Sequence, residues 1–112
     1  MHGKYTLHPV GDSNFHWELK ARDAQTLLSS EIYTARAGAE TGMASCRENS
    51  KDEARYERLF AHDKRPYFVL RAANGEIIGT SQMYTSVAAR EKGIATCKES
   101  APLALLTYAP VR

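Results

Sequence analysis

Apolar and polar side chains alternate almost from the start of this chain. From Lys4 to Val10 the sequence KYTLHPV sets Tyr5 and Leu7 on one side of an extended segment. From Phe15 to Ala21 the sequence FHWELKA sets Phe15, Trp17, Leu19 and Ala21 on one side and His16, Glu18 and Lys20 on the other. A period of two predicts strands buried on one face. Gly11-Asp12-Ser13-Asn14 between them is turn chemistry, Arg22 to Gln25 makes the next turn, and Thr26 to Ile32 reads as a third strand. The period then changes. Ala39, Gly42, Met43 and Cys46 stand at i, i+3, i+4 and i+7, which predicts a helix from about Ala35 to Asn49 with Thr34 as its cap.

The same pattern restarts at Arg55. Strands RYERLFA (55–61), PYFVLRA (66–72) and IIGTSQM (77–83) precede a helix capped by Thr85 and running to about Ser100, and LALLTY at 103–108 predicts a final strand. With a shift of 51 positions the halves align without a gap: Tyr5 with Tyr56, Asp12 with Asp63, Leu19 with Leu70, Tyr33 with Tyr84, Gly42 with Gly93, Cys46 with Cys97. A repeat this evident constrains the fold before any propensity is consulted. Each half is too small to bury much surface alone, and the SKDEA connector is short enough to force docking side by side. The expectation is one α+β domain of two tandem β-β-β-α units, 4–50 and 55–101, followed by a C-terminal strand and tail at 102–112. The units should assemble pseudo-symmetrically into a shared antiparallel sheet with both helices packed on one face.

Asn74-Gly75 is a strong hairpin signal, since both central residues of a type I′ turn need positive φ. A two-residue loop there sets Ala72 opposite Ile77 and Leu70 opposite Gly79. One face then carries Phe68, Leu70, Ala72, Ile77, Gly79, Ser81 and Met83 as core; the other carries Tyr67, Val69, Arg71, Ile78, Thr80 and Gln82. The matching positions of the first unit, His16, Glu18, Lys20, Leu27, Ser29 and Glu31, are mainly polar. Tyr67, Val69, Arg71, Ile78 and Gln82 are therefore the candidate partner-binding residues, an apolar and aromatic group with a polar margin. Gly42 and Gly93, each costing about 1 kcal/mol in mid-helix relative to alanine, predict that the helices approach another backbone too closely for a Cβ.

Charge adds little. Fifteen basic against thirteen acidic residues leave a net +2, too small and too interspersed to attract a polyanion by itself. No apolar run approaches the roughly 20 residues of a membrane span. The segment MHGKYTLHPV lacks the features of a secretory signal, so a cytoplasmic location is expected. Cys46 and Cys97 fall on the buried helical stripes, as reduced packing residues rather than nucleophiles. His2, His8, His16 and His62 have no HxxxH or CxxC spacing, so no metal and no cofactor is expected. His8 and His16 share a face only if the first hairpin closes through a three-residue loop, Gly11 to Ser13. No phosphate loop, serine elbow or acid/base pair is present, and no catalytic residue is assigned.

The run LRAANGEIIGTSQMYTSVAAREKGIATCKESA carries an alanine-rich NGE turn, a serine-bearing strand, a tyrosine, and a helix with glycine before an aliphatic residue. On Asn74, Gly75, Glu76, Ser81, Tyr84, Gly93 and Ile94 it resembles the repeat of the YegP-like family of small bacterial proteins. In the first unit Ser30, Glu31, Tyr33, Gly42 and Met43 fit, whereas Arg22-Asp23-Ala24-Gln25 replaces the NGE turn. The resemblance implies a repeated three-strand meander plus helix with C-terminal strands exchanged between units; it implies no activity.

The functional expectation is a non-catalytic binding or adaptor module acting through the open sheet face on a protein or peptide. It should be monomeric, because the tandem repeat supplies its own pseudo-dimer. A sheet-based binder of single-stranded nucleic acid is the alternative, since Tyr67, Arg71, His16, Lys20 and Arg22 put aromatic and basic groups on or near that face. An enzyme of unknown reaction comes third, because a repeat leaves no asymmetric polar cluster from which to build a site.

Overall fold

In a computed structural model, which describes residues 2–108, the alternating segments form β1 (Lys4–Val10), β2 (Asn14–Lys20), β3 (Thr26–Ser29), β4 (Tyr56–Phe60), β5 (Pro66–Arg71), β6 (Ile77–Thr80) and β7 (Leu105–Tyr108). The segments of helical period form α1 (Arg36–Asn49) and α2 (Val87–Ser100). The tail expected at 109–112 lies outside the described residues. All seven strands join one sheet in the order β4-β5-β6-β3-β2-β1-β7, so β4 and β7 are its edges.

Every neighbouring pair is antiparallel except β1 and β7, which run parallel, so the sheet is mixed rather than wholly antiparallel. The cause lies in the repeat. β4 leaves α1 and pairs with β5, and by symmetry β7 should leave α2 and pair with β2. β1 already holds that place, so β7 crosses to the other unit and lies one position further out, with Leu106 beside Tyr5 and Tyr108 beside Leu7.

Both units feed one apolar cluster. Tyr5, Trp17, Leu19, Leu28, Met43 and Cys46 of the first meet Phe68, Leu70, Ile94 and Cys97 of the second, all nearly fully buried. Two tyrosines tie the units together. Tyr5 Oη donates to Ala101 O at the C-terminus of α2, and Tyr56 Oη donates to Ser50 O at the C-terminus of α1, each at 2.7 Å. These carbonyls belong to the last turns, which lack intrahelical donors.

Three expectations need correction. The helix caps are not Thr34 and Thr85: Ala35 caps α1 with no side-chain bond, and Ser86 caps α2, its Oγ accepting from Ala89 N at 3.0 Å. Gly42 and Gly93 face tyrosine rings, not sheet backbone. A Cβ on Gly93 would collide with the Tyr84 hydroxyl and stand 2.6 Å from its Cζ, and one on Gly42 would collide with the Tyr33 hydroxyl in the same way.

The third correction concerns register. Asn74-Gly75 is not a two-residue type I′ loop, because only Gly75 has positive φ (88°). Ala72 N donates to Glu76 O and Gly75 N to Ala72 O, which closes a three-residue loop, Ala73 to Gly75. Arg71 then pairs with Ile77, and a bulge between Leu70 and Arg71 makes Ile78 an extra residue. The bulge restores the expected pairing of Leu70 with Gly79 but turns Ile78 into the core, where it is 5% exposed, and leaves Ile77 44% exposed. The first unit repeats this without an NGE turn. Ala24 stands where Gly75 does, at φ 71°, and Leu27 is the extra residue that turns inward.

Candidate functional site

Strand register defines the face away from the helices. Thr107, Thr6, Glu18, Ser29, Thr80, Val69 and Glu57 are successive cross-strand partners and form one row across all seven strands. At its centre the ladder nearly breaks. β3 and β6 share a single residue pair, Ser29 with Thr80.

The serines that follow explain why the strands stop there. Ser30 Oγ accepts from Trp17 N and donates to Glu31 O, and Ser81 Oγ accepts from Phe68 N and donates to Gln82 O. A hydroxyl thus replaces a backbone carbonyl on the neighbouring strand, and the chain leaves the sheet one residue after the Ser29–Thr80 pair.

Beside that pair lies a groove of about 690 Å³, lined by Ser30 and Glu31 from the first unit and Arg71, Glu76, Ile77 and Gly79 from the second, among others. Its walls are unequal. Ile77 offers exposed aliphatic surface, whereas Arg71 is spent within the chain: Nε and Nη2 bond Glu57 Oε1 at 2.8 and 2.7 Å, and Nη1 donates to Gly75 O at 2.7 Å. Two smaller clefts of about 250 and 230 Å³ sit at equivalent places, each between one helix and the turn of the other unit.

The residues expected to form a patch are separated. Tyr67 is half-buried on the open face, beside Leu59 across the strand pair. Val69 shares that face but is only 2% exposed, flanked by Glu57 and Thr80. Arg71 lines the groove, Gln82 is exposed beyond the end of β6, and Ile78 lies in the core because of the bulge. Sequence reasoning missed the groove and the role of Ile77. The signal was present in the repeat: Thr26-Leu27 occupies the places of Ile77-Ile78, and its polar member shows which of the two faces water.

The remaining chemistry stays structural. Burial pushes the Cys97 thiol up to about 11, and burial followed by the nearby Cys97 pushes Cys46 further in the same direction. Burial likewise raises Tyr5 and Tyr56. The first hairpin closes through Gly11 to Ser13, so His8 and His16 face each other with rings 4.9 Å apart, and His8 Nε2 lies 2.9 Å from Glu18 Oε1. Among the described residues no group of three or more His, Cys, Asp or Glu is placed to hold a metal, and no helix is long and apolar enough to cross a membrane. Hydrogen bonds from Arg58 and then Lys98 hold the Glu53 carboxyl down to about 2, and Arg58 also pairs with Glu91.

A family model described as a domain of unknown function, DUF1508, matches twice, over residues 12–57 and 61–107. Each match therefore runs from a second hairpin strand through the helix to the strand after it. The UPF0339 protein YegP of Escherichia coli K12 is 47% identical over 98 residues, covering 88% of this chain and 89% of that protein. A UPF0339 protein of Acinetobacter baylyi is 47% identical over 100 residues, covering 89% and 90%. Two solution NMR structures share the fold at 42% identity. That of a UPF0339 protein from Shewanella oneidensis has a TM-score of 0.90, with 96% of this chain and 92% of that one covered. That of YegP from E. coli, a protein of unknown function, has a TM-score of 0.89, with 96% and 93% covered.

Proposed function

The chain belongs to the DUF1508 (UPF0339) family, and we propose that it is a non-catalytic binding module that takes a protein segment on its open sheet face, centred on the groove beside Ser29 and Thr80. The observation that carries this reading is the asymmetry of the sheet: α1 and α2 cover one face only, and on the other the seam between units opens into a groove with exposed aliphatic surface at Ile77. An aliphatic side chain set among hydroxyl and charged groups suits a polypeptide, which offers both apolar and hydrogen-bonding partners. Tyr67 and Leu59 make a second apolar spot further along β5 and β4, separated from Ile77 by the buried Val69 and the Arg71–Glu57 ion pair. Within the groove the Ser30 hydroxyl is engaged at both donor and acceptor positions, which makes it a structural group. Glu31 and Glu76 in its lining, with Arg71 already neutralised, disfavour single-stranded nucleic acid.

A photo-cross-linking residue in place of Ile77 should capture a discrete polypeptide, whereas the same residue in place of the exposed Ala95 on the back of α2 should not. Excess unmodified protein should compete, and the Ile77→Lys/Thr80→Arg variant should not. Equal capture at both positions defeats the reading. Salt-sensitive binding of single-stranded oligonucleotides, abolished by the same double variant, would replace it with the nucleic-acid alternative.

A further inference from the structure

β1 and β4 are the same strand in the repeat, yet among the described residues only β1 has its outer edge covered. On β5 the carbonyls of Pro66 and Phe68 accept from Tyr84 N and Ser81 N, on the β6 side. Backbone groups alternate along a strand, so Tyr67 and Val69 turn theirs toward β4, where they meet Leu59 and Glu57. Tyr56, Arg58 and Phe60 therefore direct their N–H and C=O groups outward, where no strand of the described chain pairs with them. On β1 the equivalent outward residues, Tyr5 and Leu7, receive β7 in parallel. Beside the uncovered edge stands Phe60, 60% exposed, with the Arg90 guanidinium 5.2 Å from its ring centre.

We propose that the outer edge of β4 is a docking site for an extended peptide segment, which joins the sheet as a parallel strand with apolar side chains at alternate positions and an aromatic one opposite Arg58. The repeat supplies the template. Leu106 lies beside Tyr5 and packs against the core, and Tyr108 lies beside Leu7 beneath the Arg36 guanidinium, 4.4 Å from its ring centre. Transferred to β4, the first position meets Tyr56, the second meets Arg58 and the next meets Phe60. Arg58 in place of Leu7 sets the requirement for an aromatic group, since its guanidinium, held by Glu53 and Glu91, can lie against a ring.

Geometry disfavours a second folded copy as the occupant. With its helices on the same side of a continuous sheet, a copy could offer only its own β4 or β7, and either would run antiparallel to this β4. The parallel place suits a segment not already held in a sheet, as in other cases of strand addition.

The probe is a synthetic peptide of residues 102–108 of this chain, added to the isotope-labelled full-length protein and followed by NMR. The amides of Tyr56, Arg58 and Phe60 should shift in a saturable way and exchange with solvent about tenfold more slowly. Phe60→Pro, which removes one outward N–H and repeats the residue found at the equivalent Pro9, should keep a native spectrum and weaken the peptide. Arg58→Pro should abolish binding; if that variant unfolds, Phe60→Pro decides the matter. Unchanged β4 amides, or full binding by Phe60→Pro, overturn the proposal. Shifts confined to Tyr5 and Leu7 also overturn it, as they would show displacement of β7. So would β4 protection in a dimer without peptide, which would make a second copy the occupant.

Discussion

The hydroxyl of Tyr84 fills the space that a Cβ on Gly93 would occupy, and Tyr33 fills the same space over Gly42 in the other unit. A mid-helix glycine is therefore half of a packing pair whose other half sits just before the helix. Among the described residues the buried Tyr84 hydroxyl has no hydrogen-bond partner, so its contribution is shape.

Gly93→Ala should cost about 2 kcal/mol by overpacking, although alanine favours the helix. Tyr84→Phe alone should be close to neutral, because it removes an unpartnered buried hydroxyl. The double variant should recover part of the loss in urea denaturation. A double variant no more stable than Gly93→Ala would show that the clash lies elsewhere.

Ala24 holds φ 71° where its repeat partner Gly75 holds 88°. Left-handed backbone is unfavourable for a residue with a Cβ, so Ala24→Gly should stabilise the protein by about 1 kcal/mol and raise its melting temperature. Gly75→Ala should cost a similar amount from conformation alone, since a Cβ there meets nothing within 4 Å. A lower melting temperature for Ala24→Gly would contradict the shared turn geometry.

The buried thiols predict loss of stability in alkali. Burial raises Cys97 from an ordinary 9.0 to about 11, and Cys46 is raised further. The folded state therefore keeps protons that the unfolded state releases. This contribution is complete below pH 9 and is lost as pH rises from about 9 through about 11. Cys97→Ala should flatten the decline, with Cys46, Tyr5 and Tyr56 supplying what remains. At neutral pH both native thiols should resist a thiol reagent, and rapid labelling of either would expose an error in its placement.

Tyr5 and Tyr56 make the same bond in opposite directions across the two units. Tyr5→Phe and Tyr56→Phe should each cost about 1 to 2 kcal/mol, leaving a helix-terminal carbonyl buried without its donor. Two variants that differ widely would show that the units are not energetically equivalent. A chain cleaved at Lys51 loses the linkage between two halves that share one core, so neither isolated half should give a dispersed NMR spectrum. A folded, monomeric half would refute the shared core.

The register of the repeat, the number and order of elements, the helical stripe of Ala39, Met43 and Cys46, and the burial of both cysteines were all legible in the chain, because each follows from local periodicity and an internal copy. The position of the first unit's turn was legible too, but its geometry was not. Its Arg22-Asp23-Ala24 does not look like Ala73-Asn74-Gly75, yet it folds alike because Asp23 Oδ1 accepts from Gln25 N as Asn74 Oδ1 accepts from Glu76 N.

What the sequence determined by itself was a two-unit α+β domain with one shared core, since hydrophobic period and repetition are properties of the chain alone. Tertiary structure decided three further matters. It turned Ile77 rather than Ile78 to the open face, because loop closure at Ala72 and the bulge between Leu70 and Arg71 shift the pleat by one residue, a choice that the isoleucine pair itself does not express and that only its repeat partner Thr26-Leu27 marks. It placed tyrosine rings rather than backbone against Gly42 and Gly93. It sent β7 to the outer edge of β1 and left β4 without a counterpart among the described residues, because each edge place can be filled by one strand, and the repeat supplies three claimants for the two places beside β2 and β5.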